Sequence, residues 1–207
     1  MSFHLWSGFF IACWVISLSP GAGAIASMSN GLKFGFQRGY WNVIGLQIAL
    51  ALQIFIVSTG LGIIFAKTPW AFLLIKWFGV IYLLYLAYIQ WNAPPRKMLI
   101  DNLEEEQTPI YKIILKGFIV NISNPKAIVF LLAVLPQFLD STSTSYGTQY
   151  LMMAVTMIGV DMVVMAGYTG LASKFLKLLK SPKQQKYMNR TFAVLFSCAA
   201  GLLSFIK

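Results

Sequence analysis

The sequence predicts an all-α membrane protein, with six transmembrane helices arranged as two inverted three-helix repeats. Three observations carry that prediction. Of 207 residues, 58% are hydrophobic and only 11% are charged, and the mean hydropathy is +0.71. A water-facing domain carries about 25% charged residues, so lipid is the solvent that suits this surface. Second, six apolar stretches approach the roughly 20 residues that a spanning helix needs. Third, the first and fourth of these are interrupted well inside the stretch, at Ser19-Pro20-Gly21 and at Asn124-Pro125.

Span 1 runs from Leu5 to about Met28, and span 2 from Tyr40 to Phe65. Span 3 runs from Trp70 to Trp91, span 4 from Ile113 to Leu139, and span 5 from Tyr150 to Leu171. Span 6, Thr191 to Ile206, is short. None alternates with period two, and backbone in lipid must satisfy itself, so these are helices. Residues 1–207 form one transmembrane domain: a first repeat over about 1–92, a linker over about 93–111 and a second repeat over about 110–207. Trp6, Trp41, Trp70 and Trp91 stand near span ends, as an interfacial aromatic belt requires.

Charge sets the orientation. Lys33 and Arg38 follow span 1. Arg96, Lys97, Lys112 and Lys116 follow span 3, and Lys174, Lys177, Lys180, Lys183, Lys186 and Arg190 follow span 5. The opposite side holds Lys67 and Lys207, while Lys76 and Lys126 lie inside spans. The positive-inside rule then puts three basic segments in the cytoplasm and both termini in the periplasm. The net charge of +10 follows from this topology, and nucleic acid is not expected as a partner. The A-x-A look of residues 22–26 suggests a cleavage site, but no Lys or Arg precedes Lys33. An export signal has its positive charge before the apolar run, so span 1 is expected to stay in the membrane.

The two breaks share one grammar. Proline inside a helix removes a backbone bond, whereas at a first helical position it is welcome. Ser19 is read as an N-cap with Pro20 as first residue, and Asn124 and Pro125 repeat the pattern. Paired interruptions in corresponding spans are the mark of a transporter built from repeats, and three spans per half make the repeats inverted. Gly45-Leu46-Gln47 in span 2 and Gly159-Val160-Asp161 in span 5 form a second, shorter match. Half-helix N-termini carry unsatisfied N–H groups and partial positive charge, so two of them near the midplane suit a carboxylate. Gly21 and Gly23 allow the ligand close to the backbone.

Asp161 is the one acid of six that falls inside a span. Such a charge costs about 2.5–3.5 kcal/mol on insertion scales and must face a cavity or a partner. It is read either as a site for a substrate ammonium or a proton, or as a structural pair with Lys76 or Lys126. Lys126, on the first turn of its half-helix, opposes the helix dipole unless an anion comes close. Lys76 can instead snorkel to the interface. His4 reads as interfacial, Asp101 to Glu106 as a solvated face, and Ser173 to Lys180 as an amphipathic segment against anionic lipid. Cys13 and Cys198 read as small core residues. No metal-ligand spacing is present and no cofactor is expected.

The segments "SLSPGAGAI", "GLQIALALQIFIVSTGLGIIF", "LIKWFGVIYLLYL", "VNISNPKAIVFLLAVLPQF", "VDMVVMAGY" and "PKQQKYMNRTF" follow one another in an order that resembles the LysE/RhtB superfamily of bacterial amino-acid exporters. The resemblance covers nearly the whole chain. It implies inner-membrane export of amino acids or close derivatives, with homoserine, homoserine lactone and threonine-like compounds as cargo, by proton antiport. Pro20 and Gly21 match its first signature, Asn124, Pro125 and Lys126 its second, and Asp161 its fifth-helix acid. Ala22-Gly23 departs from the proline that many relatives have there. So does span 2, where Gln47 and Gln53 are the polar residues and Leu50 stands near a position that many relatives make polar.

The expected substrate site is therefore Ser19, Pro20, Gly21, Gly23, Asn124, Pro125 and Lys126 for a carboxylate and Asp161 for an ammonium and for proton coupling. Gln47 and Asn121 would serve an uncharged or lactone substrate. A dimer is compatible with this reading. The rivals are a passive channel for small zwitterions, an intramembrane hydrolase using a Ser–Lys pair, and a membrane scaffold. No set of nucleophile, base and orienter is legible, so no enzyme is expected.

Overall fold

The computed structural model describes residues 1–67, 71–94, 108–140, 146–172 and 182–205, without the side chains of 61–67, 71, 72, 75, 76, 202, 203 and 205. Among the described residues the chain is helical, with no strand. The helices are α1 (Phe3–Leu18), α2 (Ala22–Gly39), α3 (Trp41–Lys67), α4 (Ala71–Asn92), α5 (Ile110–Ile122), α6 (Pro125–Val134), α7 (Tyr146–Gly170) and α8 (Pro182–Phe205). A 3₁₀ turn, Leu135–Phe138, extends α6. Two single helices, within Trp41–Gly60 and Tyr146–Gly170, are long and apolar enough to cross a membrane. Two more candidates are bent pairs: α1 with α2 turns by 57°, and α5 with α6 and its 3₁₀ turn by 54°. Both expected interruptions are thus real bends at the expected places.

Several boundaries differ from the expectation. The first broken helix does not end near Met28, because α2 continues to Gly39. Lys33 and Arg38 therefore lie on a helix and not in a loop. The helix is interrupted at Gly35, whose φ of 73° suits a residue without a Cβ, and Tyr40 alone joins it to α3. The last helix starts at Pro182, nine residues before the expected Thr191. Proline suits a first turn, and Gln184, Gln185, Lys186 and Met188 are good helix formers that need no lipid.

The core lies where the broken helices cross α3 and α7. Phe9 and Cys13 of α1, Met28 of α2, Leu46 of α3, Leu131 and Leu135 near the end of α6 and Met153 of α7 are all essentially inaccessible. Cys13 meets the expectation of a core residue; Cys198 does not, being exposed on α8. α3 packs most extensively against α5, α4 against α8, and α2 and α1 against α7. Glycine permits the first of these: Gly45 rests on the backbone of Ile114 and Phe118, and Gly117 on that of Asn42. Outward faces such as Phe55, Ile81, Leu84 and Tyr88 are large, apolar and exposed, as lipid requires.

Two arginines each tie a pair of helix ends. Arg38 donates to the carbonyl of Thr108 at 2.6 Å, setting the end of α2 beside the start of α5. The Arg190 guanidinium lies 4.9 Å from the Trp91 ring centre, and Gln90 donates to Asn189 at 3.0 Å. Trp41 and Trp91 stand at helix ends, and Trp6 near the start of α1 donates to Thr156 at 3.1 Å. His4 is exposed. Trp70, the side chain of Lys76, the acidic run Asp101 to Glu106 and the amphipathic stretch Ser173 to Lys180 lie outside the described residues.

Candidate functional site

A broken helix must satisfy the carbonyls that its break orphans, because lipid offers no donors. Here side chains from the other half of the chain do so. At the end of α1, Lys126 Nζ donates to the carbonyls of Ser19 at 2.8 Å and Ile16 at 3.4 Å. Tyr168 Oη donates to that of Leu18 at 2.7 Å. At the end of α5, Gln53 Nε2 donates to the carbonyls of Asn121 at 2.9 Å and Ile122 at 3.5 Å. Lys126 and Tyr168 come from the second half and cap the first; Gln53 comes from the first half and caps the second.

The two N-terminal ends are not alike. Asn124 Oδ1 accepts from the backbone N–H of Lys126 at 3.1 Å, with Pro125 at the first helical position, as expected. The first break departs from the expectation. Ser19 is the C-cap of α1, its own N–H bonded to the Val15 carbonyl, and is not the N-cap of α2. α2 begins at Ala22, with Gly21 before it and no side chain capping it. Closing α1 fixes Ser19, whose carbonyl accepts from Lys126, 107 residues on, so Pro20-Gly21 becomes the linker. The first-turn N–H groups of α2 are left without a side-chain acceptor.

These ends line a cavity of about 60 Å³, well above the minimum of about 10–15 Å³ that one water needs. Ser19, Gly21, Gly23, Asn121, Asn124, Lys126 and Asp161 all line it. Pro20 and Pro125 do not; they set the breaks. Gln47 is also absent from the walls, but its Nε2 donates to Asp161 Oδ2 at 2.7 Å. The two polar residues matched between spans 2 and 5 therefore meet. Asn121 is less free than expected, since its Nδ2 donates to the Leu46 carbonyl at 2.8 Å.

No ion pair joins Asp161 to Lys126 among the described residues, so the structural-pair reading with Lys126 is not what holds either group. Asp161 is bound by an amide, and Lys126 by carbonyls together with the face of Phe196, whose ring centre lies 5.8 Å from Nζ. The cavity thus carries an anion and a cation, each held by neutral partners. Leu46, Leu50, Met157 and Met165 supply its apolar wall. The Ser19 hydroxyl and Gln47 Oε1 are buried with no hydrogen-bond partner. Sequence reasoning missed Ser17, which lines the cavity beside Asp161, and the capping roles of Gln53 and Tyr168. Gln53 did carry a signal, being one of two glutamines in the middle of span 2.

The caps differ in what their loss would cost. Lys126→Met leaves the Ser19 and Ile16 carbonyls unsatisfied, at about 1–3 kcal/mol for each buried group. The variant is expected to melt at lower temperature in detergent, and Lys126→Arg to recover most of the loss. Gln53→Leu is expected to cost about 1 kcal/mol, less than Lys126→Met, because the Asn121 carbonyl keeps its backbone bond from Asn124 at 3.0 Å. Equal melting points for the two variants would contradict the unequal capping.

Relatives of known name share nearly the full length of this chain. It is 38% identical over 204 residues to the homoserine/homoserine lactone efflux protein of Salmonella typhimurium, covering 99% of this chain and 98% of that one. It is 36% identical over 208 residues to an uncharacterized membrane protein of Vibrio cholerae, covering the whole of both. It is 26% identical over 203 residues to the leucine efflux protein of an Enterobacter species, covering 97% and 95%. No solved structure matches. The pattern of the LysE type translocator covers residues 14–205, and the chain belongs to this family of membrane translocators.

Proposed function

We propose that this protein is a secondary-active exporter of small amino acids and close derivatives, homoserine, homoserine lactone and threonine-like compounds among them. It works in the bacterial inner membrane as two inverted three-helix repeats, with both termini periplasmic. The observation that carries the reading is the cavity where the two breaks meet, with an anion and a cation in its walls. A zwitterion brings one of each. Its carboxylate meets the first turn of α2 and Lys126, where helix dipole and charge both favour an anion. Its ammonium meets Asp161. The chain's resemblance to efflux proteins for homoserine and for leucine supports the substrate class.

Proton antiport suits the same geometry. One carboxylate that binds an ammonium in one state and a proton in the other exchanges the two, provided both are not bound together. Gln47 suits both states, since an amide donates to a carboxylate and accepts from a carboxylic acid. The bends of 57° and 54° in corresponding helices, and the caps exchanged between halves, support the repeat architecture. A transporter is preferred to a hydrolase because, among the described residues, Lys126 donates to two backbone carbonyls and to no serine, which leaves one N–H of its ammonium for a carboxylate.

The test is export from cells lacking their own exporters, loaded with radiolabelled homoserine, threonine or leucine. Concentrative export of one of them, abolished by a protonophore, is the expected result. Downhill flux insensitive to the protonophore would establish a channel instead.

A further inference from the structure

The inner cavity touches no residue of the outer ends of the helices, so cargo that leaves outward needs a route beyond it. A second cavity, of about 40 Å³, lies on that side. Val15 of α1, Phe130 and Val134 of α6, Phe138 of the 3₁₀ turn and Phe196 of α8 are among its walls. The two cavities share no wall residue, but α1 and α6 line both. α1 gives Ile16 to the first and Val15 to the second, and α6 gives Ala127 to the first and Phe130 to the second. Lys126 lines the first, and its Nζ lies 5.8 Å from the ring centre of Phe196, which lines the second.

The outer end is shut. The Phe138 ring lies edge-on to Phe9 at 5.5 Å, and its Cε1 is 3.1 Å from where a Cβ on Gly8 would stand. Asp140 N–H donates to Gln149 Oε1 at 2.8 Å and Gln149 Nε2 returns a bond to the Asp140 carbonyl at 3.1 Å. Beside Phe138 stands Gln137, 1% exposed, and neither its Nε2 nor its Oε1 has a partner. An amide buried with both ends empty is rare. Gln137 lines neither cavity here, but its neighbour Phe138 walls the second, so an opening of this turn would bring the amide to the path.

We propose that the export path runs from the inner cavity past Lys126 into the second cavity and leaves through the turn that carries Gln137, whose amide is a polar ligand for the passing zwitterion. Its N–H groups suit the carboxylate and its carbonyl the ammonium. The proposal rests on the exporter reading and on the N-terminal side of α1 facing outward. It adds an outer binding group that the inner site does not contain.

The test uses the full chain with Gln137→Cys in cells, treated from outside with a membrane-impermeant cationic thiosulfonate, with wild type as the baseline for Cys13 and Cys198. Labelling is expected to rise several-fold when the cells are loaded with homoserine and energised, compared with unloaded, de-energised cells. Gln137→Leu is expected to insert at wild-type levels and to lower export about tenfold or more, with Gln137→Asn partly restoring it. A Gln137→Cys variant that stays at the wild-type baseline in both conditions, or a leucine variant exporting at the wild-type rate, overturns the route. If wild type exports none of the compounds, the cargo assignment fails. Labelling of the Gln137→Cys variant that responds to energisation would then still uphold the route, and its absence would remove it.

Discussion

Asp161→Asn removes protonophore-sensitive export while leaving a folded protein in the membrane. The substitution keeps the shape of the side chain and keeps an acceptor for Gln47, which now donates to Asp161 Oδ2 at 2.7 Å. It removes the charge. A hydrogen bond to a charged group is worth about 1.5–3 kcal/mol, so a substrate ammonium loses about tenfold to 150-fold in affinity. The variant also loses the ability to exchange a proton for substrate. Two assays separate these consequences. Energised export should fall to background, whereas exchange of labelled for unlabelled substrate at high concentration should persist. Full protonophore-sensitive export by Asp161→Asn would place coupling elsewhere and leave Asp161 a structural group. Loss of exchange along with export would mean that the carboxylate is needed for the conformational step itself.

Why this acid could be found from sequence, and much of its setting could not, is a matter of what each residue's job depends on. A charge inside an apolar run stands out whatever its neighbours are, because lipid makes it expensive. A proline after a capping residue likewise marks a break by its own chemistry, and both breaks bend where Pro20 and Pro125 stand. The capping partners are different. Lys126 reads from sequence as a cation beside a helix N-terminus. Its observed partners, the carbonyls of Ser19 and Ile16, belong to a segment over a hundred residues away. Gln53 caps from 68 residues away and Tyr168 from 150, and although Gln53 stands out as an amide in a span, neither residue's local sequence names the carbonyl it caps. Ser19 shows the same limit in miniature. Its residue type permits either end of a helix, and the neighbouring Lys126 decides which. The short Gly-x-polar match between spans 2 and 5 is right about its polar members, which meet, and misleading about its glycines.

Those glycines give a second prediction of large effect. Gly45 and Gly159 occupy equivalent places in the match, yet their surroundings differ completely. A Cβ on Gly45 would collide with the backbone of Ile114 and Phe118, and one on Gly117 with the backbone of Asn42. A Cβ on Gly159 would meet nothing within 4 Å. Backbone cannot rotate away as a flexible side chain does, so α3 and α5 would have to separate along their whole crossing. Overpacking in a tight core costs about 1–3 kcal/mol, and this collision belongs at the upper end for alanine and beyond it for leucine. Gln53 of α3 donates to the Asn121 carbonyl of α5 and Asn121 donates to the Leu46 carbonyl of α3, so separation also undoes these bonds beside the inner cavity. Gly45→Leu and Gly117→Leu are expected to yield little folded protein, and the alanine variants to melt earlier in detergent with export reduced. Gly159→Ala is expected to stay within about 0.5 kcal/mol of wild type, because alanine is the better helix former and the space is open. Gly45→Ala and Gly159→Ala behaving alike would mean that α3 and α5 do not cross through their glycines. The placement of Gln53 on the broken end of α5 would then fall with it.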